Sequence, residues 1–151
     1  MKVLFVVNDR SELPADIPGV DIVTARAYLT EKSYGESPAT KVINLCRTHR
    51  YQSRGYYVSL LAAARGHEPL PDVRAIEDMR ENLATVVCAD LESEIQKALD
   101  AHAGPQFELD IHFGRDAAER NDALARALFG VLKMPLMRAR FTRDAGKWRI
   151  E

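Results

Sequence analysis

The stretch NLCRTHRYQSRGYYVSLLAAARGHEPLP, residues 44–71, runs from an apolar strand through a polar, cationic turn into a helix. The strand, residues 42–45, is short and largely apolar, which is typical of a strand covered on both faces. Asn44 lies inside it, and we expect its side chain to be a buried amide that makes hydrogen bonds. This order of strand, turn and helix predicts an α/β fold.

The helix is predicted to span residues 54–65. Ser53 is placed to act as its N-cap, because the hydroxyl can accept a hydrogen bond from a free N–H group of the first turn. Gly66 suits the left-handed residue just after the helix, and Pro69 follows at a usual distance. Four apolar residues at positions i, i+3, i+4 and i+7 give the helix one apolar face: Tyr57, Leu60, Leu61 and Ala64.

The turn before the helix is crowded with side chains that packing does not require. Binding side chains tend to sit on loops that a rigid scaffold holds. Helix N-termini attract anions, and arginine supplies a planar fork that fits carboxylate or phosphate. We therefore predict an anion or carboxylate site in the strand–turn–helix segment 44–59, built from Arg47, Arg50, Tyr51, Ser53 and Arg54. The alternative is that these arginines pair with some of the 22 acidic residues on a solvated surface.

Cys46, where the strand gives way to the turn, has two interpretations. A thiol near a helix N-terminus and arginines can have a lowered pKa and act as a nucleophile, with His49 as its base. Alternatively, Cys46 is a buried structural residue, because free cysteine is among the most buried residue types. The pattern favours the structural role. Cys88 lies in the apolar run 86–89 and is expected in the core.

Strands and helices alternate along the rest of the chain. The apolar run 2–7 and segments near 20–24 and 41–46 predict early strands with helices between them. Later strands, at 107–113, 137–141 and 147–150, alternate apolar and polar residues, which favours antiparallel pairing. Helices are predicted near 25–29, 73–83, 91–103 and 116–129, the last with a capping box of Asp116 and Glu119. The prediction is one α/β domain over 1–151, a three-layer-like or two-layer mixed sheet with parallel early strands and antiparallel late strands, flanked by helices.

Polar side chains on the late strands invite further interpretations. Glu108, Asp110 and His112 share one strand face, but a metal site would need ligands that converge from elsewhere. We interpret them as solvated and expect no metal site. Arg138 and Arg140 either extend a basic face toward an acidic substrate or meet the carboxylates of a partner domain.

Composition narrows the class of protein. The 151 residues are 46% hydrophobic, which is enough for the core of one domain. The net charge of −1 gives no support for a nucleic-acid or membrane partner. The two cysteines lie far apart in core-like contexts, and no apolar run has the length of a signal peptide's core or a membrane span. A reducing, cytoplasmic location is expected.

Residues 44–71, together with DIVTARAYLT at 21–30, resemble the RimK-like ATP-grasp N-terminal domain family. The likeness is close from about Asp21 to Pro71 and weaker after Asp72. The resemblance implies that the domain precedes an ATP-grasp catalytic module in one polypeptide. ATP-grasp enzymes activate a carboxylate as an acyl phosphate and join it to an amine. No catalytic role for an individual residue follows from the resemblance.

The chain contains no glycine-rich phosphate loop and no set of nucleotide lysines and magnesium carboxylates such as an ATP-grasp module needs. Because residues 147–151 begin a strand and then stop, we expect an N-terminal fragment of a longer protein. ATP and Mg are expected in the absent C-terminal ATP-grasp module, and this domain is expected to bind or dock the carboxylate of an amino acid or peptide. Two alternatives remain open: a free-standing enzyme with Cys46 as nucleophile, and a non-catalytic oligomerisation module.

Overall fold

The computed structural model describes residues 1–37, 39–81, 86 and 88–151. Contacts divide the chain into two compact units, Met1–Ile76 and Glu77–Glu151. Each unit has its own four-stranded sheet and its own hydrophobic core. Within the described ranges, no helix is long and apolar enough to cross a bilayer.

The first unit is a parallel sheet whose strands are connected mainly through helices. Its elements are β1 (Lys2–Val7), β2 (Asp21–Thr24), α1 (Ala25–Thr30), β3 (Thr40–Asn44), α2 (Arg54–Ala64), β4 (Glu68–Leu70) and the start of α3 (Val73–Arg80). The strand order is β2-β1-β3-β4, and every neighbouring pair is parallel. Parallel strands need crossover connections: residues 8–20 connect β1 to β2, α1 connects β2 to β3, and α2 connects β3 to β4.

The core of this unit joins the sheet to α1 and α2. Leu4, Val6 and Val42 from the strands pack in one cluster with Tyr28 of α1 and Val58 of α2. All five side chains are almost completely removed from water. Burial of this kind contributes roughly 1.5–3 kcal/mol for each large apolar side chain. It therefore fixes the two helices against the sheet and holds the turn that precedes α2.

The ends of α2 follow the sequence prediction. Ser53 is the N-cap, and its Oγ accepts a hydrogen bond from the Tyr56 N–H group at 3.2 Å. The helix ends at Ala64 with Arg65 as its C-cap, and Gly66 adopts a left-handed φ of 73°. Glycine has no Cβ to disfavour that conformation, so it closes the helix without strain.

The buried face of α2 is not its apolar stripe. Tyr57 and Leu60 are each 42% exposed, whereas the buried positions carry Gly55, Tyr56, Val58, Ser59 and Ala62. The reason lies in β3, where the buried Asn44 donates from Nδ2 to the Gly55 carbonyl oxygen at 2.7 Å and to Ser59 Oγ at 2.9 Å. These bonds satisfy the amide and confirm its predicted role. They also turn the small, polar side of α2 inward and leave its apolar stripe outside.

The second unit is an antiparallel sheet. Its elements are the end of α3, α4 (Glu92–Leu99), β5 (Gln106–His112), β6 (Arg115–Asp116), α5 (Asp122–Leu132), β7 (Leu136–Asp144) and β8 (Lys147–Ile150). The strand order is β6-β5-β7-β8. Leu109, Ile111 and Phe141 of the sheet share a buried cluster with Leu99 of α4 and Leu128 of α5.

The predicted fold class is confirmed. Early strands pair in parallel and late strands antiparallel, and the two kinds of pairing lie in two four-stranded sheets. The predicted alternation also holds at the end of the chain, where Trp148 and Ile150 are buried and Lys147 and Arg149 are exposed. Helix α3 is present over Val73–Arg80, and the predicted positions 82 and 83 lie outside the described residues.

The capping box predicted at Asp116 is wrong. Asp116 is buried, and its carboxylate accepts hydrogen bonds from the N–H groups of Ala118, Arg120 and Asn121 at 2.8–3.0 Å. It therefore organises a loop, in which Glu119 takes a left-handed φ of 57°. Helix α5 begins only at Asp122.

Candidate functional site

The residues predicted to bind an anion follow β3, at the carboxyl end of the parallel sheet. We call loop 45–53 the arginine turn. The chain runs from β1 to β2 on one side of the sheet and from β3 to β4 on the other, so the neighbours β1 and β3 form a switch point in the strand order. In open α/β sheets, ligands bind outside the carboxyl ends of the strands at such a point.

Hydrogen bonds tie the arginine turn to the loop that follows β1. The Leu45 N–H donates to the Val6 carbonyl at 2.8 Å, and the Arg47 N–H donates to Asn8 Oδ1 at 2.7 Å. The Asn8 N–H in turn donates to Glu12 Oε2 at 3.2 Å. The two loops thus form one connected surface above β1 and β3. Sequence reasoning missed Asn8 and Glu12, although polar residues directly after a buried strand were the available signal.

The arginine turn is also closed on itself. The Ser53 N–H donates to the Arg50 carbonyl at 2.9 Å, and the Ser53 hydroxyl donates to the Thr48 carbonyl at 3.2 Å. Gln52 adopts a left-handed φ of 63°, which is uncommon for a residue with a side chain. Strained residues of this kind cluster at functional sites. Because the Ser53 hydroxyl both caps α2 and holds the turn, its role in this structure is to position the turn.

The three arginines of the predicted site have different surroundings. Arg47 forms an ion pair with Glu12, with Nη2 at 2.5 Å from Oε1, although the pair is not aligned as a hydrogen bond. Arg50 and Arg54 are exposed, and within the described ranges neither guanidinium has a carboxylate partner. The alternative, in which the arginines pair with acidic residues on a solvated surface, thus applies to Arg47. The N–H donors of Arg50 and Arg54 remain available to a ligand.

Tyr51 lies at the outer edge of a row of aromatic rings. Its centroid is 5.3 Å from that of Tyr56 in an edge-to-face arrangement, and Tyr56 makes a similar contact with Tyr57 at 5.7 Å. Tyr56 is buried and Tyr51 is 57% exposed. Edge-to-face pairs of this kind stabilise by roughly 0.5–1.5 kcal/mol beyond the area that they bury. The row therefore supports Tyr51 beside the arginines.

The contacts of Cys46 favour the structural interpretation. Its side chain is buried, and burial raises the pKa of the thiol to about 11, with a further increase from the Glu12 carboxylate. Burial also lowers the pKa of His49, which interacts with the Asn44 backbone, while its Nε2 is buried without a hydrogen-bond partner in the described structure. Cys88 is likewise a buried free thiol with a pKa raised to about 11 by burial. At neutral pH, neither thiol is a ready nucleophile.

The polar residues of the second unit pair with one another. Arg138 Nε donates to Asp110 Oδ1 at 2.6 Å, and Arg140 Nε donates to Glu108 Oε1 at 3.0 Å. The strand register of β5 and β7 places each pair directly opposite, so Arg138 and Arg140 meet carboxylates of their own sheet, which neither of the two interpretations anticipated. No cluster that fits a metal ion is found among the residues that the structure describes, and His112 has no part in one.

The fold and the turn define an α/β domain with a cationic loop at the carboxyl end of a parallel sheet. Residues 25–151 match the family described as the RimK-like ATPgrasp N-terminal domain. The chain belongs to this family, which confirms the resemblance and extends it through the second unit. No curated protein matches the chain.

Proposed function

We propose that the chain is the substrate-binding or docking domain of a RimK-like ATP-dependent carboxylate–amine ligase. In this proposal, Arg50 and Arg54 bind the carboxylate of an amino acid or peptide, and Tyr51 packs beside it. Arg47, held by Glu12, and Ser53, held as the cap of α2, keep the turn in shape. The free thiols of Cys46 and Cys88 suit a reducing, cytoplasmic location.

The observation that carries the proposal is the position of the arginine turn. It lies at the switch point between β1 and β3, next to the N-terminus of α2, and presents two guanidinium groups without a carboxylate partner in the described structure. A helix N-terminus and arginine forks both favour a carboxylate. Family membership supplies the context, because the family takes its name from the N-terminal part of RimK-like ATP-grasp proteins.

ATP and Mg are assigned by this proposal to an ATP-grasp module of the same polypeptide. The sequence of the chain contains none of the phosphate-loop patterns that cradle a nucleotide. The chain alone is therefore expected to bind the carboxylate substrate without hydrolysing ATP, and the complete ligase is the form in which to measure turnover.

Calorimetric titration of the whole chain with an N-acetylated dipeptide tests the site. The peptide with a free C-terminal carboxylate is expected to bind about tenfold or more tightly than its C-terminal amide, because the amide lacks the charge. Arg50→Gln and Arg54→Gln are each expected to weaken carboxylate binding about tenfold. Arg74→Gln, a change at an exposed arginine on α3, is the matched control and is expected to leave affinity unchanged.

Two results would count against the proposed site. Equal affinity for the carboxylate and the amide would show that charge is not recognised. Equal losses in the Arg50→Gln and Arg74→Gln variants would show that the turn is only one part of a general cationic surface.

A further inference from the structure

The apolar stripe of α2 lines a groove on the outside of the first unit. Leu29 of α1 and Tyr57, Leu60, Leu61 and Ala64 of α2 enclose a groove of about 400 Å³. Residues 57, 60, 61 and 64 have the spacing by which one helix usually packs on another. An exposed apolar patch on a folded protein commonly marks an interaction site.

Charge around the groove identifies the kind of partner. Neither α1 nor α2 contains an acidic residue, and the stretch from Ser37 to His67 has none; the acidic residue nearest to either helix in sequence is Glu31, the C-cap of α1. Arg26 lies one helical turn before Leu29, and Arg54 lies one turn before Tyr57. Both arginines are exposed, and neither forms an ion pair within the described ranges. A partner that fits this surface has an apolar stripe with carboxylates on its flanks.

We propose that this groove binds an amphipathic helix with acidic flanks that belongs to a separate protein. In helix-in-groove recognition, the bound helix places apolar anchors at i, i+3 or i+4, and i+7 against an apolar surface, which the exposed stripe of α2 provides. A second copy of this chain is disfavoured as the occupant, because its α1 and α2 carry the same apolar stripe without an acidic residue and so lack the flanking carboxylates. The small extent of the groove fits a reversible partner better than a permanent interface, which is usually larger.

The test uses two synthetic helical peptides of about 15 residues that share one leucine stripe. One carries glutamate on its flanks and the other lysine, and a scrambled form of the glutamate peptide serves as the third probe. Fluorescence anisotropy of labelled peptides with the whole chain gives the affinities. The glutamate peptide is expected to bind at least about tenfold more tightly than either of the other two.

Variants locate the binding surface. Leu60→Asp is expected to weaken binding of the glutamate peptide at least about tenfold. Leu136→Asp is the matched control, because Leu136 is also an exposed leucine and lies on β7. Arg26→Glu is expected to lower the affinity for the glutamate peptide and to raise the affinity for the lysine peptide. Leu60→Asp is expected to leave binding of the N-acetylated dipeptide carboxylate unchanged, because Leu60 lies in the groove and outside the arginine turn, so failure of this proposal and failure of the carboxylate site are distinguishable.

Several results would overturn the inference. One is equal affinity for the glutamate and lysine peptides. Another is an equal loss of affinity for the glutamate peptide in Leu60→Asp and Leu136→Asp. A third is the absence of glutamate-peptide binding at about millimolar concentration. Sedimentation that shows a dimer of the chain, lost in Leu60→Asp, would assign the groove to a second copy instead.

Discussion

The roles of the arginines in and next to the arginine turn depend on which side chains the fold places beside them. Arg47 lies opposite Glu12 and supports the turn, whereas Arg50 and Arg54, only a few residues away, face solvent. Exposed ion pairs contribute little to stability. The Arg47–Glu12 contact is therefore expected to matter for the geometry of the turn more than for the free energy of unfolding.

Asp116 is expected to make stability depend on pH. Burial alone would raise the pKa of its carboxyl group, but hydrogen bonds from the N–H groups of Ala118, Asn121 and Arg120 lower it overall. A carboxyl group with a lowered folded-state pKa stabilises the protein above its unfolded value of 3.8, and this contribution is lost as pH falls through the folded pKa. Asp116→Asn is expected to lower the free energy of unfolding by about 1–3 kcal/mol at neutral pH.

Denaturant unfolding between about pH 6 and pH 2.5 measures this dependence. The difference between the wild type and Asp116→Asn is expected to shrink toward the acid end. Asp110→Asn is the comparison: the hydrogen bond from Arg138 also lowers the pKa of Asp110, but Asp110 lies on the surface, so its substitution is expected to change stability less than Asp116→Asn. A constant difference between wild type and Asp116→Asn across the whole range would contradict the role given to Asp116.

Cys46 is expected to react slowly with iodoacetamide in the folded protein at neutral pH. Only the thiolate reacts, and a pKa of about 11 leaves little of it. Mass spectrometry of Cys46→Ala and Cys88→Ala measures each remaining thiol separately. Both are expected to label quickly only after denaturation. Rapid labelling of Cys46 in the native Cys88→Ala variant would revive the nucleophile hypothesis.

At the scale of elements, the position of α2 depends on how closely it approaches the arginine turn. A Cβ added at Gly55 would overlap the Thr48 carbonyl oxygen and touch the Cys46 side chain. The helix can therefore lie this close to the turn only if residue 55 is glycine. Asn44 of β3 also holds α2 in this position, since its side-chain amide donates hydrogen bonds to the Gly55 carbonyl oxygen and to Ser59 Oγ.

Gly55→Ala is expected to lower the free energy of unfolding by about 1–3 kcal/mol or more, because backbone atoms have to move. Gly130→Ala is the matched control, since Gly130 also lies in a helix and, among the described residues outside its own helix backbone, no atom lies within 4 Å of its Cβ position. That change is expected to stabilise α5 by about 0.5–1 kcal/mol. Chemical denaturation of both variants checks the pair, and equal effects would contradict the close approach.

At the scale of the whole molecule, the sequence predicted what depends on local pattern. The strands, the cap at Ser53, the closing Gly66 and the buried Asn44 all have local signals, and all were found. The division into two sheets has no local signal, because it depends on which strands meet after folding. The exposed stripe of α2 was hidden for the same reason: helical periodicity identifies an apolar face but not the direction that it takes.

The candidate site was predictable in part. The cationic composition of the turn predicts an anion site, whereas the place of the turn at the switch point follows only from the strand order. The contributions of Asn8 and Glu12 come from a loop more than thirty residues away in sequence, as the Arg47 N–H bond to Asn8 shows. Such pairings are set by the topology of the sheet, so the sequence of the turn alone does not indicate them.

The central claim is that a carboxylate binds at the arginine turn between β1 and β3. An amide NMR titration of the whole chain with the N-acetylated dipeptide carboxylate tests it most directly. Shifts are expected to concentrate in residues 47–55 and in the β1 loop around Asn8, and to weaken in Arg50→Gln. Saturable shifts confined to the second unit, or unchanged in Arg50→Gln, would contradict the claim.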